Sequence, residues 1–134
     1  MRASFEWSRA VEFYETDLAG IVHFSNFYRW MEAAEHAFLR SRGIALHQGP
    51  LGWPRVSAGA DFKKPVKFGE LVRVAVSVGE LRTRSVRYDF EIRVGGSEEV
   101  HATGSLTAVC VDLKTMKAVE IPGEIRAKLS GDRG

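Results

Sequence analysis

A single cysteine, Cys110, is the whole thiol content of the 134 residues. No disulfide closes within such a chain, and a reducing, cytoplasmic setting is expected for it. Cys110 stands in an apolar run, where a free thiol behaves as a small buried hydrophobe and not as a nucleophile. Long apolar runs are missing as well. None reaches the length of a membrane span, and the opening MRASFEWSRAVEF has no apolar signal core, so no membrane insertion is expected. CxxC, HExxH, GxGxxG and P-loop patterns are absent, which leaves a metal or nucleotide cofactor without support. Charge of one sign is also scarce. The formal net charge is +2, too little to argue for nucleic acid. The local groups at Lys63, Lys64 and Lys67 and at Arg82, Arg84 and Arg87 read, taken alone, as a solvated face.

What remains is an ordinary globular composition, 45% hydrophobic and 27% charged, in a length that suits one domain over 1–134. Phe5, Trp7, Val11 and Phe13 alternate with polar or small residues, predicting a half-buried strand in which Arg9 breaks the apolar face. One long helix follows. Phe27, Trp30 or Met31, Ala34 and Phe38 recur at helical spacing, with Arg29, Glu32, His36 and Arg40 opposite them. Ser25 or Asn26 suits its start and Gly43 its end. IALHQGPLGWP is loop-like.

Strands then succeed one another. Val72 to Val78 and Val86 to Val94 alternate with period two, VGGSEE is a turn between strands, and Val100 to Val111 reads as a further strand. Ala102, Gly104 and Ala108 on one side of that strand suggest close packing against a helix. PGEIRAKLS suits a short terminal helix with Pro122 in its first turn. The order predicts an α+β fold, an antiparallel five-stranded sheet with one long helix on one face. The other face is expected to keep apolar residues from the valine- and aromatic-rich strands, and so to require a second copy: a homodimer or homotetramer.

One segment asks for chemistry. In YETDLAGIVHFSNFYRW, Asp17 has only Glu15 as a nearby charge, and the next cation is Arg29. Asp before a glycine-containing loop commonly caps a turn through its own backbone. It is also a reactive carboxylate, and the residues alone leave both open.

VEFYETDLAGIVHFSNFYRWMEAAEHAFLRSRG resembles the signature segment of the 4-hydroxybenzoyl-CoA thioesterase family, carried by Tyr14, Asp17, Ala19, Gly20, Ile21, Val22, Asn26, Phe27, Arg29 and Trp30. VSAGADFKKPVKFGE and LRTRSV resemble later parts of the same family. The resemblance implies a hot-dog fold, with the sheet wrapped around one long central helix and two chains paired edge to edge. It implies acyl-CoA thioester hydrolysis with Asp17 as nucleophile or general base and the Phe24 backbone N–H as oxyanion donor. Coenzyme A thioester is then the substrate and no cofactor is needed. Gly20, Val22, His23 and Phe27 would border the substrate, and Arg82, Arg84, Ser85, Lys63 and Lys64 would meet the coenzyme A phosphates, Arg through its planar fork. Tol–Pal-associated relatives carry a histidine at the position of Phe24. This chain has His23-Phe24 instead, which moves it toward the aryl-CoA type. The acyl group, and the choice between coenzyme A and acyl carrier protein, stay open. Two other readings compete: a hot-dog enoyl-CoA hydratase or dehydratase, and a non-catalytic acyl-CoA-binding module.

Overall fold

Strong alternation makes the middle of the sheet. The computed structural model describes residues 3–46 and 49–131, so His47, which carried no assigned role, lies outside the described residues. Strand β1 (Phe5–Ala10) precedes helix α1 (Ser25–Ser41), and strands β2 (Leu51–Gly52), β3 (Arg55–Phe62), β4 (Leu71–Leu81), β5 (Ser85–Val94), β6 (Ala102–Val109) and β7 (Val111–Asp112) follow, with helix α2 (Gly123–Leu129) after them. Five strands form one antiparallel sheet in the order β1-β4-β5-β6-β3, and β2 pairs with β7 apart from it. The expected α+β, five-stranded antiparallel sheet is present, with two helices.

On β5 the residues Val86, Tyr88, Phe90 and Ile92 are fully buried, and on β4 Val72, Val74 and Val76 are as well. They face the apolar stripe of α1: Phe27, Trp30, Met31, Ala34 and Phe38, each at most 4% exposed. Burying each of these large side chains contributes about 1.5–3 kcal/mol. On the small-residue side of β6, Met31 of α1 packs against Gly104. A Cβ placed at Gly104 would lie 2.5 Å from Met31 Sδ and 3.0 Å from the Gly59 carbonyl oxygen, so a side chain there would force Met31 to move. Helix α1 stops where expected. Gly43 has φ +72°, and the Ile44 N–H reaches back to the Leu39 carbonyl at 2.9 Å.

Three expectations need correcting. First, β1 ends at Ala10, and Phe13–Glu15 form a 3-10 turn locked by a reciprocal Glu12–Glu15 box; Phe13 is 75% exposed and belongs to no apolar strand face. Second, the helix N-cap is Phe24, with neither Ser25 nor Asn26 capping through a side chain, and Pro122 is the N-cap of α2 and lies before its first turn. Third, the face of the sheet turned away from α1 is not apolar. It carries Arg73, Ser77, Arg87, Asp89, Glu91 and Arg93, with ion pairs Arg73–Glu6 at 3.2 Å, Arg87–Asp89 at 2.9 Å and Arg93–Glu91 at 3.0 Å. Alternation sent every valine and aromatic of these strands to the helix side, so this face gives no hydrophobic reason for a second copy. Among the described residues no helix is long and apolar enough to cross a membrane.

Candidate active site

The loop between the 3-10 turn and α1 holds Asp17. Its N–H donates to the Ile21 carbonyl and its carbonyl accepts the Gly20 N–H, both at 2.9 Å. Gly20 closes this turn at φ +80°, a conformation that costs other residues strain. The Asp17 Oδ1 accepts the Ala19 N–H at 2.9 Å. The turn-capping role is therefore real, and it occupies one carboxylate oxygen only. No cation pairs with Asp17 among the described residues, and the side chain is exposed.

Backbone bonds strap the loop down on both sides. The Val22 N–H donates to the Val66 carbonyl at 2.8 Å, the His23 N–H to the Glu15 carbonyl at 2.9 Å, and Asn26 Nδ2 to the same Glu15 carbonyl at 2.9 Å. Beneath them Glu15 is 2% exposed. Its carboxylate accepts the Trp30 indole N–H and the Glu12 N–H, each at 2.9 Å, and pairs with Arg9. Burial pushes the Glu15 carboxyl up, but the hydrogen bonds from Glu12, Trp30 and Arg9 win and hold it below its ordinary range. Arg9, the break in the β1 alternation, thus has a purpose: it answers Glu15.

Helix α1 opens directly on this loop. His23 Nδ1 takes the Ser25 N–H at 3.3 Å and meets Ser25 Oγ at 2.8 Å. Accepting a backbone N–H on Nδ1 puts the proton of a neutral ring on Nε2. The Phe24 N–H has no protein acceptor among the described residues, and it sits at the positive end of the helix dipole.

Asp17 and His23 stand on a ridge between two cavities. One, of about 650 Å³, is polar, with Arg9, Tyr14, Thr16, Ser25, Asn26 and Arg29 around it and Trp30 at its base. The other, of about 460 Å³, is apolar and aromatic, walled by Ile21, Val22, Phe24, Phe27, Phe62 and Val66, with Lys63 and Lys64 on its rim. Both fall in the size range of small-ligand pockets. The structure therefore brings together Asp17, Val22, His23, Phe24, Phe27, Lys63 and Lys64, with Gly20 in the turn behind them. Lys64 is engaged by Glu99 at 2.6 Å.

Arg82, Arg84 and Ser85 are elsewhere. They form the β4–β5 turn, at the Arg55 end of the sheet, whereas the cavities lie at the Phe62 end. Seven residues of β3 separate those ends, about 20 Å. Arg82 is paired with Glu80 at 3.2 Å, and its carbonyl accepts from Arg126 of α2. Glu35 is also accounted for. It is fully buried mid-helix and receives both terminal nitrogens of Arg55, at 2.8 and 2.5 Å. Burial pushes its carboxyl up, and the Arg55 fork reduces that rise without cancelling it. Cys110 is buried, and burial pushes its thiol up, away from nucleophilic use. Among the described residues no group of three or more His, Cys, Asp or Glu is placed to hold a metal ion.

Sequence reasoning missed Phe62, Val66 and Arg29 as lining residues. Phe62 and Val66 arrive 45 and 49 residues after Asp17, through sheet pairing that no local pattern encodes.

The chain has relatives in sequence and in fold. The sequence model of the thioesterase-like superfamily matches residues 11–129. A 1,4-dihydroxy-2-naphthoyl-CoA hydrolase of Nostoc punctiforme is 28% identical over 134 residues, covering 97% of this chain and 89% of its own. The 4-hydroxybenzoyl-CoA thioesterase of a Pseudomonas species is 29% identical over 91 residues, 63% of this chain and 64% of its own. The crystal structure of the 1,4-dihydroxy-2-naphthoyl-CoA thioesterase Slr0204 from Synechocystis superposes with a TM-score of 0.91 at 25% identity, covering 97% of this chain and 98% of that one. With its five-stranded hot-dog α+β architecture and a family match over nearly its full length, the chain belongs to the thioesterase-like superfamily.

Proposed function

We propose that this hydrolase cleaves aryl-CoA thioesters, with Asp17 as the oxygen-delivering or water-activating carboxylate and the Phe24 N–H as the oxyanion donor. One observation supports the reading: among the described residues, a carboxylate with no cation on it and an N–H with no acceptor at a helix start line the same aromatic cavity, and the carboxylate also borders the polar one. A thioester has two arms of those two characters. The aromatic cavity suits the acyl arm, and the polar cavity suits the amides of the pantetheine arm. Asp17 either attacks the carbonyl carbon to give an anhydride or takes a proton from the attacking water. The carbonyl oxygen becomes negative and is held by the Phe24 N–H, an interaction worth about 3–4 kcal/mol in the transition state. The C–S bond breaks, the thiolate leaves and takes up a proton, and one water is consumed per carboxylate and thiol formed. No step calls for a cofactor. The substrates for which the relatives are named, hydroxylated naphthoyl- and benzoyl-CoA, favour an aryl acyl group.

The reading includes a second copy, for a reason other than the sheet's open face. Exposed apolar side chains gather around the Asp17 loop: Phe13, Tyr14, Leu18, Phe24, Phe62 and Phe68, from 46 to 108% exposed. Strand β3 is a free sheet edge. Pairing β3 with its copy across a two-fold runs the strands antiparallel and carries the second copy's β4–β5 turn, with its arginines, to the Phe62 end. Only in that assembly do Arg82, Arg84 and Ser85 approach a coenzyme A seated at Asp17. Chromatography with light scattering giving a monomer at micromolar concentration would remove this part.

The function is tested by thiol release from benzoyl-, 4-hydroxybenzoyl- and phenylacetyl-CoA and from C2 to C16 acyl-CoA, with crotonyl-CoA watched for loss of the enoyl chromophore. Thiol release fastest on the aryl esters is expected. Binding without release would favour an acyl-CoA-binding module, and loss of the chromophore without release a hydratase.

A further inference from the structure

We infer that Phe62 sets the acyl specificity of the aromatic cavity: its ring is the wall that a planar aryl group stacks against and that a long alkyl chain must displace. The inference deepens the proposed thioesterase reading and rests on its placement of the acyl arm. The backbone segments that wall the cavity are tied down. The Ile21–Phe24 side is strapped to the 63–67 side by the Val22–Val66 hydrogen bond at 2.8 Å and the Ile21–Lys67 bridge. The 63–66 segment is clamped in turn by His101, whose carbonyl accepts the Lys63 and Lys64 N–H groups at 2.8 and 3.0 Å and whose Nδ1 meets the Pro65 carbonyl at 3.1 Å. Val22, Phe27 and Val66 are at most 5% exposed and belong to the core. The backbone walls therefore cannot widen cheaply.

Phe62 differs. It is the last residue of β3, on the helix-facing side, opposite the small Ala102. It is 46% exposed. Its ring lies 5.0 Å from Phe27, and edge-on to Phe24 and Tyr28 at 6.1 and 6.5 Å. One face of an aromatic box is thus supplied by a half-exposed ring at a strand end, whereas the other half-exposed ring, Phe24, stands on the strapped loop at the helix start. Offset or edge-to-face partners suit a further aromatic ring better than an alkyl chain. Truncating Phe62 removes the stacking surface and opens the cavity along the strand beside Phe27, while leaving Asp17 and the Phe24 N–H in place.

The experiment compares wild type, Phe62→Ala and Phe62→Tyr in two assays. The first is calorimetric binding of two thioethers that cannot be hydrolysed, S-benzyl-CoA and S-decyl-CoA. The second is kcat/KM for benzoyl-CoA and decanoyl-CoA. In Phe62→Ala the benzyl-to-decyl preference is expected to fall by about tenfold or more in both assays, and Phe62→Tyr, which keeps the ring, to hold the wild-type preference. A Phe62→Ala variant that changes both ligands by the same factor overturns the inference, as does wild type that binds neither thioether. A preference shift in binding between wild type and Phe62→Ala, with no thiol released by wild type, overturns the hydrolytic reading and leaves Phe62 standing as the selector of the bound group. Coincident thermal melts of the three proteins exclude misfolding as the cause.

Discussion

Asp17 Oδ1 accepts the Ala19 N–H at 2.9 Å, and this hydrogen bond orients the carboxylate without neutralising it. The same bond separates the turn-forming role of Asp17 from its chemical one. Asparagine keeps an Oδ1 acceptor and so keeps the turn, but it has neither a nucleophilic oxygen nor a base. Asp17→Asn is therefore expected to lower kcat by about 10²–10⁴-fold on any ester the enzyme turns over, with an unchanged melting temperature. Asp17→Ala is expected to match that loss and also to loosen the loop. Near-normal turnover in Asp17→Asn would move the chemistry elsewhere.

The Phe24 N–H is testable because Phe24 has φ −56°, which proline adopts naturally. Phe24→Pro deletes the N–H with little backbone cost, and a proline before a helix is tolerated because its missing donor would have been an orphan anyway. Relative to Phe24→Ala, which loses the ring alone, Phe24→Pro is expected to lose a further 10²–10³-fold, roughly, in kcat with little change in KM. Equal losses in the two variants would mean the oxyanion is held by another group.

The site was legible where it is contiguous. Asp17, Val22, His23, Phe24 and Phe27 lie in one segment, and the elements on either side announce themselves, the helix through the Phe27–Phe38 stripe and the sheet through Val86–Val94. What escaped is long-range. The pairing of β3 with β6 places Phe62 in the cavity, yet β3 has a weak pattern, with exposed Val56 and Ala58 among its members. The β4–β5 turn carries attractive arginines that one protomer holds at the far end of the sheet. Exposure was misjudged for a plain reason. Counting valines in β4 and β5 shows apolar content, whereas the register sends them all to one side and leaves Arg, Asp and Glu on the other. Arg9 was a visible irregularity, and its partner Glu15 became visible only once the 3-10 turn swung that carboxylate under the loop.

Glu35 and Arg55 provide a stability test that leaves the cavities alone. Arg55 opens the edge strand β3 and delivers its fork to a fully buried carboxylate on α1, with Glu32 at 3.5 Å on the outer side. Removing the cation strands a buried charge. Arg55→Ala is expected to cost about 3–5 kcal/mol of unfolding free energy, measured by chemical denaturation. The double variant Glu35→Leu/Arg55→Leu is expected to recover most of that loss, because an apolar pair of similar volume needs no desolvation. A double variant as unstable as Arg55→Ala would show that the pair does more than compensate itself.

Glu15 gives the pH dependence of the fold its sign. Its folded carboxyl is held below its ordinary value of 4.5, since the hydrogen bonds from Glu12, Trp30 and Arg9 favour the charged form over the burial that opposes it. A depressed carboxyl contributes stability that is fully present above 4.5 and is lost as pH falls through the lower, folded value. Glu35, held above its ordinary value, runs the other way: its contribution is present in acid and is lost as pH rises through the folded value. Comparing wild type with Glu15→Gln cancels the Glu35 contribution and isolates Glu15. Glutamine retains an acceptor for the Trp30 N–H but not the charge that answers Arg9. The variant is expected to be less stable than wild type by about 1–3 kcal/mol at neutral pH, with the gap closing as pH falls below 4.5. Melting temperatures of both proteins across that acid range are the measurement. A gap that stayed constant would mean Glu15 is protonated in the folded protein, and the loop under Asp17 would then rest on neutral hydrogen bonds alone.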